Sequence, residues 1–173
     1  KMMRSKMSIP MQSNNRVVGI DPGFDRCGVA ILEKNAGGKE KLLYSTCITT
    51  NRSDDHEIRL KALGTELKKI IVDWEPNSLA IEKLFFNANQ KTALKVAEAR
   101  GVILYEASQA GLPFAEYSPQ AIKIAVTGYG KATKPQVETM VARILSLDLR
   151  GKQDDEVDAI AVGITHLAST RLK

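Results

Sequence analysis

The sequence predicts an α/β fold in which a mixed five-stranded sheet carries helices on both faces. Three observations support this prediction. Three apolar, strand-like segments follow one another near the start of the chain with short turns between them, which favours an antiparallel meander. A long amphipathic segment then leads to a fourth short apolar run, which is the pattern of a parallel crossover. One more short strand and several segments of helical periodicity complete the chain.

The first strand is the best defined of the predicted meander. Residues 17–20 form a run rich in β-branched side chains, typical of a strand buried on both faces. The turn Pro22-Gly23 ends this run directly after Asp21. Apolar segments at residues 27–32 and 41–49 supply the second and third strands. The first strand therefore delivers an acidic side chain at its carboxyl end.

The next segments are predicted to be a long helix and a parallel strand. Ser53 is a candidate N-cap, and apolar residues recur at helical spacing over residues 58–74. The short run Ser78–Glu82 then ends in an acidic residue, as the first strand does. A helix at this point forms a crossover that places the new strand parallel to one already in the sheet. If the strands that end in Asp21 and Glu82 are neighbours, both acids emerge at the same edge.

The rest of the chain adds one strand and four helices. These are a helix at 93–109, a strand at Phe114–Tyr117, a short helix that starts at Ser118-Pro119, a helix opened by Thr133 and Pro135, and a final helix at Asp154–Ser169. Three antiparallel strands followed by parallel ones are the layout of the ribonuclease H-like fold, also called the retroviral integrase superfamily.

Length and composition limit the classes of function. The 173 residues suit one domain, assigned to 16–169, with a polar extension at 1–15 and a short tail at 170–173. The extension lacks the apolar centre of a signal peptide, so we expect a disordered segment or a cloning remnant. No run of roughly eighteen apolar residues indicates a membrane span. A cytoplasmic protein is therefore expected.

Charge and cysteine content are weak guides to function here. The formal net charge is +5, but three of these charges precede residue 16, so only +2 remains for 16–173. An argument for nucleic acid must therefore depend on where cations cluster. Cys27 and Cys47 lie in apolar segments and are expected to be buried thiols. With only two histidines in the chain and no paired cysteine spacing, a zinc site is disfavoured.

The start of the last helix holds a cluster of acidic residues. Asp155 and Asp158 are three residues apart, and Asp154 and Asp158 four, so either pair shares one helical face. The helix dipole stabilises acids in a first turn, which by itself accounts for residues 154–156. Asp158 lies further in, before an almost entirely apolar sequence, where an unpaired carboxylate is costly. A cation or a metal ion is its expected partner.

Four carboxylates are expected to meet where the parallel strands end. Asp21 and Glu82 end strands, and the last helix brings Asp155 and Asp158 beside them. Simpler explanations exist, because Asp21 can serve its own turn and Glu82 can face solvent. Four anions at close range repel one another, which makes a divalent cation the natural partner. Oxygen ligands favour Mg²⁺ or Mn²⁺, and two such ions about 4 Å apart can hydrolyse a phosphodiester.

An ordered set of motifs resembles the RuvC family of Holliday junction resolvases over residues 16–167. The motifs are Gly19-Ile-Asp-Pro-Gly23, Ala80-Ile-Glu82, Ala99-Arg-Gly101, Tyr117-Ser-Pro119, Gly128-Tyr-Gly130, Asp155-Glu-Val-Asp158-Ala159 and Ile164-Thr-His166. The resemblance implies a homodimeric, Mg²⁺-dependent endonuclease of recombination and DNA repair. It would resolve four-way junctions by paired, symmetric, two-metal-ion hydrolysis, leaving 5′-phosphate and 3′-hydroxyl ends. Mn²⁺ is an expected substitute, and branch-migration proteins are expected partners.

The same resemblance assigns roles to the acidic residues. Asp21, Glu82, Asp155 and Asp158 match the family's catalytic and metal-binding acids. The match favours Asp155 over Asp154, although some family members carry histidine at the position of Asp155.

Basic and aromatic residues receive roles from the resemblance too. Phe85 resembles an aromatic side chain that family members insert against bases, although one residue of the Phe85-Phe86 pair is expected in the core. Lys123 and Lys134 resemble a basic pair at the active site and the DNA backbone, and Lys134 is a catalytic candidate as well. Lys91 and Lys131 are further candidates for DNA contact, with a solvated helix face as the simpler explanation for Lys91.

Two other classes of function stay open at this point. Sugar-kinase and actin-like ATPases hold phosphates with an Asp-x-Gly hairpin, which Asp21-Pro-Gly23 with Gly28 resembles. Those proteins close a second domain over the nucleotide, and this chain is too short for one. A non-catalytic module that binds DNA junctions is the other class, and the presence of all four acids argues against it.

Overall fold

A computed structural model describes residues 15–84 and 90–170, with side chains in the second range from residue 93 onward. The strands are β1 (Asn15–Asp21), β2 (Arg26–Lys34), β3 (Glu40–Thr49), β4 (Ser78–Glu82) and β5 (Phe114–Tyr117). The helices are α1 (His56–Trp74), α2 (Gln90–Gln109), α3 (Pro119–Thr127), α4 (Lys134–Leu145) and α5 (Asp154–Ser169). Phe85, the side chain of Lys91, and residues 1–14 and 171–173 lie outside the described part.

The five strands form one mixed sheet in the order β3-β2-β1-β4-β5. β1 pairs antiparallel with β2, which pairs antiparallel with β3. β4 pairs parallel with β1 and with β5. β1 is the central strand, and its residues Val17, Val18 and Ile20 are completely buried. The predicted α/β, ribonuclease H-like layout is confirmed.

Two apolar clusters cover opposite faces of the sheet. Val17 and Leu32 belong to the cluster shared with α3, α4 and α5. Val18 and Ile31 belong to the cluster shared with α1 and α2. Adjacent residues of one strand fall into different clusters because side chains alternate between the faces of a sheet. Among the described residues, no helix is long and apolar enough to cross a membrane.

Helix α5 packs directly on the backbone of β1 and β2. A Cβ atom at Gly19 would overlap the carbonyl oxygen of Ala159, and one at Gly28 would overlap that of Asp155. A larger residue at either position would push the helix away from the sheet. These two glycines therefore set the first turns of α5 over the carboxyl end of β1 and the facing start of β2.

Two helix starts differ from the prediction, and one of them is that α2 begins at Gln90 rather than at residue 93. Ser118 caps α3 as predicted, since its hydroxyl accepts a hydrogen bond from the Ala121 amide at 3.1 Å. Helix α1 instead begins after Asp55, so the assignment of Ser53 as its N-cap was wrong. The Ser53 hydroxyl donates to Asn51 Oδ1 at 2.9 Å, within a turn that precedes the helix. Such local side-chain bonds compete with capping.

Candidate active site

Asp21 and Glu82 end two adjacent parallel strands. β1 and β4 pair in register up to the residues just before these acids. Burial raises the pKa of Asp21 to about 7, and three neighbouring negative charges add to this effect. In decreasing order of effect, these charges lie on Glu82, Asp158 and Asp155. The carboxylates predicted to meet at this edge are therefore close enough to repel.

The acids of the first turns of α5 differ in what they face. The Asp155 side chain is 24% exposed, whereas that of Asp154 is 75% exposed. Asp158 accepts a hydrogen bond from Lys134 Nζ at 3.1 Å. Asp155 and Asp158 both raise the pKa of Asp21, and Asp154 is not among the causes of that shift. Exposure and charge interaction therefore group Asp155 and Asp158 with Asp21 and leave Asp154 at the rim.

Glu156, the remaining acid of this turn, has structural partners. It forms a capping box with Gln153 at the start of α5. Its carboxylate also accepts a hydrogen bond from the Ser45 hydroxyl at 2.8 Å and lies 3.4 Å from Lys152 Nζ. Glu156 therefore ties the start of α5 to strand β3.

Two lysines flank the acids on the side of α3 and α4. Lys123 and Lys134 line a pocket of about 180 Å³ together with Glu82 and Asp158. Burial and the charge of Asp158 raise the pKa of Glu82, and the two lysines oppose that shift. Burial disfavours charged Lys134, but its contacts with Asp158 outweigh this and raise its pKa. Lys131 is exposed in the loop between the helices and is not part of the pocket lining.

Arg26 is a basic residue of the site that sequence reasoning missed. It begins β2, and its guanidinium forms a salt bridge with Asp155 Oδ2. Cys47 Sγ lies 3.9 Å from the same oxygen. A contact with Cys47 and the charge of Asp155 raise the pKa of Arg26. Cys47 is only partly buried, so the expectation that both thiols are buried holds for Cys27 alone.

The turn after Asp21 is held by a buried arginine, which sequence reasoning also missed. Arg59 of α1 is 7% exposed, and its Cζ lies 4.0 Å from the centroid of the Phe24 ring. Its guanidinium donates to Thr50 Oγ1 at 2.9 Å and to Asp25 Oδ1 at 2.5 Å. Thr50 in turn donates to the Phe24 carbonyl at 2.9 Å. This network fixes the position from which the Asp21 carboxylate emerges.

The donor set fits a hard divalent cation in its chemistry. All four side chains are carboxylates, the ligands that Mg²⁺ and Mn²⁺ prefer. Burial and, to a lesser degree, their mutual repulsion raise the pKa of Asp21, and a bound cation would offset the repulsion. Within the described ranges, however, no three acidic, histidine or cysteine side chains are arranged to hold an ion together. Arg26 and Lys134 hold the two α5 carboxylates, so gathering the four ligands requires those side chains to turn.

Residues 17–166 match the model of the family described as "Crossover junction endodeoxyribonuclease RuvC". The chain belongs to the RuvC family. A RuvC protein of Syntrophomonas wolfei is 42% identical to it over 157 residues, which make up 91% of each chain. A RuvC protein of Moorella thermoacetica is 43% identical over 150 residues, covering 87% of this chain and 89% of that protein. Both carry the name crossover junction endodeoxyribonuclease.

Solved structures agree with the RuvC assignment. Thermus thermophilus RuvC in complex with a Holliday junction substrate superposes with a TM-score of 0.83 and 31% identity, covering 89% of this chain and 93% of that one. The yeast mitochondrial Holliday junction resolvase Ydc2 superposes with a TM-score of 0.67, covering 92% of this chain and 80% of that one. Its 16% identity shows a shared fold alone. The family resemblance stated from the motifs is confirmed.

Proposed function

We propose that this chain is a structure-selective endonuclease that resolves four-way (Holliday) DNA junctions. Its membership of the RuvC family supports the proposal, as does a RuvC neighbour described in complex with a Holliday junction substrate. The observation that carries it is the set of repelling carboxylates at the sheet edge, flanked by cationic side chains. Acids that need a cation, next to cations that suit phosphate, are the groups that phosphodiester hydrolysis requires.

The proposed metal ligands are Asp21, Glu82, Asp155 and Asp158. Because they offer only oxygen atoms, we propose Mg²⁺ as the metal, with two ions per site and Mn²⁺ as a substitute. The metal ions would supply an activated water and stabilise the leaving 3′ oxygen, so that hydrolysis leaves 5′-phosphate and 3′-hydroxyl ends. The chain contributes the spacing of these ligands through the β1–β4 register and the close packing of α5.

Two of the proposed DNA contacts, Lys123 and Lys134, lie beside the acids. Lys134, next to Asp158, is placed to compensate negative charge that develops on the phosphate, which gives it a catalytic role. Lys123, in the same pocket, would bind a backbone phosphate. Phe85 is proposed to stack on a base at the junction, and Lys91 and Lys131 to contact phosphates more weakly.

Paired, symmetric nicks on a two-fold symmetric junction require two active sites. We therefore propose a homodimer of one nuclease domain, residues 16–169, in which each protomer cuts one strand. Its proposed setting is recombination and DNA repair in the cytoplasm, together with branch-migration proteins of the same pathway.

The test compares a synthetic four-way junction with a linear duplex of matched sequence, each with Mg²⁺ or with EDTA. The expected result is a pair of symmetric nicks on the junction alone, dependent on Mg²⁺, with products that DNA ligase can reseal. The Asp21→Asn variant is expected to bind the junction without cutting it. Equal nicking of junction and duplex would contradict structure selectivity. Junction binding by the unaltered chain without nicking, in Mg²⁺ and in Mn²⁺, would instead favour the non-catalytic module.

A further inference from the structure

The two proposed metal ligands of α5 are each held by a different cation. Asp158 is paired with Lys134, on the side of α3 and α4. Asp155 is paired with Arg26, on the side of β2 and β3. The carboxylate cluster therefore has cations on two sides. Only the α3–α4 side has a role in the function proposed above, so Arg26 calls for a separate explanation.

A metal ion and Arg26 compete for the same carboxylate. The guanidinium contacts Asp155 Oδ2 directly, and a divalent ion that uses this oxygen as a ligand places positive charge beside it. Like charges at contact distance repel strongly in a partly buried site. Metal binding through Oδ2 therefore favours release of the guanidinium from Asp155. The side chain is free to swing out, because it is 46% exposed.

Phosphate is the natural second partner for this guanidinium. Its planar fork of donors matches two phosphate oxygens, and arginine exchanges carboxylate for phosphate with little loss of hydrogen bonding. Arg26 begins β2 just after the turn that follows Asp21, at the edge where the DNA backbone must approach the acids. Once released from Asp155, the Arg26 side chain can therefore bind a phosphate of the bound junction.

We infer that Arg26 is a positioning residue that holds Asp155 until junction DNA binds, and then exchanges this carboxylate for a backbone phosphate. The inference rests on the metal-dependent function proposed above. In DNA-free protein the salt bridge opposes metal binding, and in the complex the phosphate relieves that opposition. Metal loading and junction binding then strengthen each other, and the coupling is reciprocal.

The primary test measures Mg²⁺ affinity of DNA-free protein by isothermal titration calorimetry. Arg26→Gln is expected to bind Mg²⁺ about two- to five-fold more tightly than the unaltered chain, the range for one partly exposed ion pair. Arg26→Lys keeps a charge near Asp155 and is expected to fall between the two. Arg150→Gln is the matched control, since it removes an exposed arginine whose partner is Asp148, and its Mg²⁺ affinity should be unchanged.

A second arm measures junction affinity by fluorescence anisotropy, with Ca²⁺ as an oxygen-seeking probe ion or with EDTA. Ca²⁺ is expected to tighten junction binding more for the unaltered chain than for Arg26→Gln, because only the former releases a guanidinium to the DNA. If the salt bridge were purely structural, its loss in Arg26→Gln would lower thermal stability and leave both the metal affinity and the DNA affinity unchanged.

Three results overturn the inference. The first is equal or weaker Mg²⁺ binding by Arg26→Gln, with its fold verified by circular dichroism. The second is an equal Ca²⁺ effect on junction binding in both proteins. The third is an unaltered chain that binds no Mg²⁺, which would overturn the proposed metal centre itself and is distinguishable from the other two.

Discussion

The polar side chains at the two ends of helix α5 differ in how well their neighbours satisfy them. At the last turn, His166 is 7% exposed and both of its ring nitrogens have partners. Nε2 lies 3.0 Å from the Ser78 hydroxyl, and Nδ1 lies 3.0 Å from the Tyr117 hydroxyl. At the first turns, Asp158 adds negative charge to an edge where the pKa of Asp21 is already raised by burial. One end satisfies its polar groups, whereas the other crowds carboxylates together and only partly compensates them with Lys134 and Arg26.

This difference separates a structural polar group from a functional one. His166 belongs to a motif that matches the family, yet its burial lowers its pKa and its two hydrogen bonds suit the neutral ring. Satisfied buried groups stabilise a fold. Carboxylates that repel one another reduce stability and are retained where a ligand or a reaction needs them. The four predictions below test this contrast between the ends of α5, in order of decreasing effect.

The largest effect is expected from Asp158→Asn at the acidic end. Cleavage of junction DNA with Mg²⁺ should fall by about a thousandfold or more, because a proposed ligand of the ions that drive the reaction is lost. Stability in EDTA should stay the same or rise, since one repelling charge is removed. Initial nicking rates and thermal unfolding measure the two effects. Asp154→Asn is the matched control at the rim, and an equal loss of cleavage in that variant would contradict the assignment.

The next effect is a pH dependence of the metal-free protein. The folded-state pKa of Asp21 is about 7, against an ordinary value of 3.8. Between these values the folded protein holds a proton that the unfolded chain releases, so stability falls as pH rises from 4 to 7 and then levels off. The loss should be on the order of 2 to 4 kcal/mol.

Urea unfolding in EDTA from pH 4 to 8 measures this loss. Asp21→Asn should lack that part of the decline, so the difference between the two proteins isolates Asp21 from other titrating groups. Mg²⁺ at the upper end of the range should restore stability to the unaltered chain. A difference between the proteins that stays constant with pH would show that Asp21 is not held in a raised-pKa state.

Substitutions around His166, at the last turn of α5, should lower stability and leave cleavage unchanged, the reverse of the effect expected for Asp158→Asn. His166→Ala is expected to destabilise the protein by about 2 to 3 kcal/mol, because two hydroxyl groups lose a partner and a small cavity remains. Tyr117→Phe removes one hydroxyl alone and should cost about 1 kcal/mol. Denaturant unfolding measures both changes. Cleavage per folded molecule should be preserved in each variant. A loss of cleavage without a loss of stability would show that His166 has a functional role rather than a structural one.

Elements with local end signals were predictable from the sequence. β4, β5 and α5 have the predicted bounds, because apolar runs end at acids, at a serine cap or at polar linkers. The parallel direction of β4 also follows from the crossover rule, and its pairing with β1 brings Asp21 and Glu82 to one edge. Pattern and topology together therefore predicted the sheet and the edge at which the acids lie.

The contacts that hold the site were not predictable in this way. Arg26 and Asp155 are 129 residues apart in the chain, and Arg59 reaches Asp25 across 34 residues. Neither pair has a periodicity or a spacing that links its members, because their contact depends on the packing of α5 and α1 on the sheet. Sequence patterns locate the acids, and only the packed structure reveals which cations hold them.

The smallest effect is expected from Lys134→Ala, which removes a cation from the acidic end without removing a ligand. Cleavage should fall by roughly tenfold at saturating enzyme, because charge on the phosphate loses one compensating ammonium. Lys134 also lowers the pKa values of Asp21 and Glu82, so its loss should raise both and slightly destabilise metal-free protein above pH 7. Single-turnover nicking and unfolding in EDTA measure these changes. Lys131→Ala removes an exposed lysine outside the pocket and should weaken junction binding and lower its salt dependence while leaving the saturated cleavage rate intact. If both variants lose cleavage equally, the position of Lys134 beside Asp158 gives it no special role in cleavage. The acidic end of α5 would then be compensated by the summed field of the surrounding cations rather than by the Lys134 side chain.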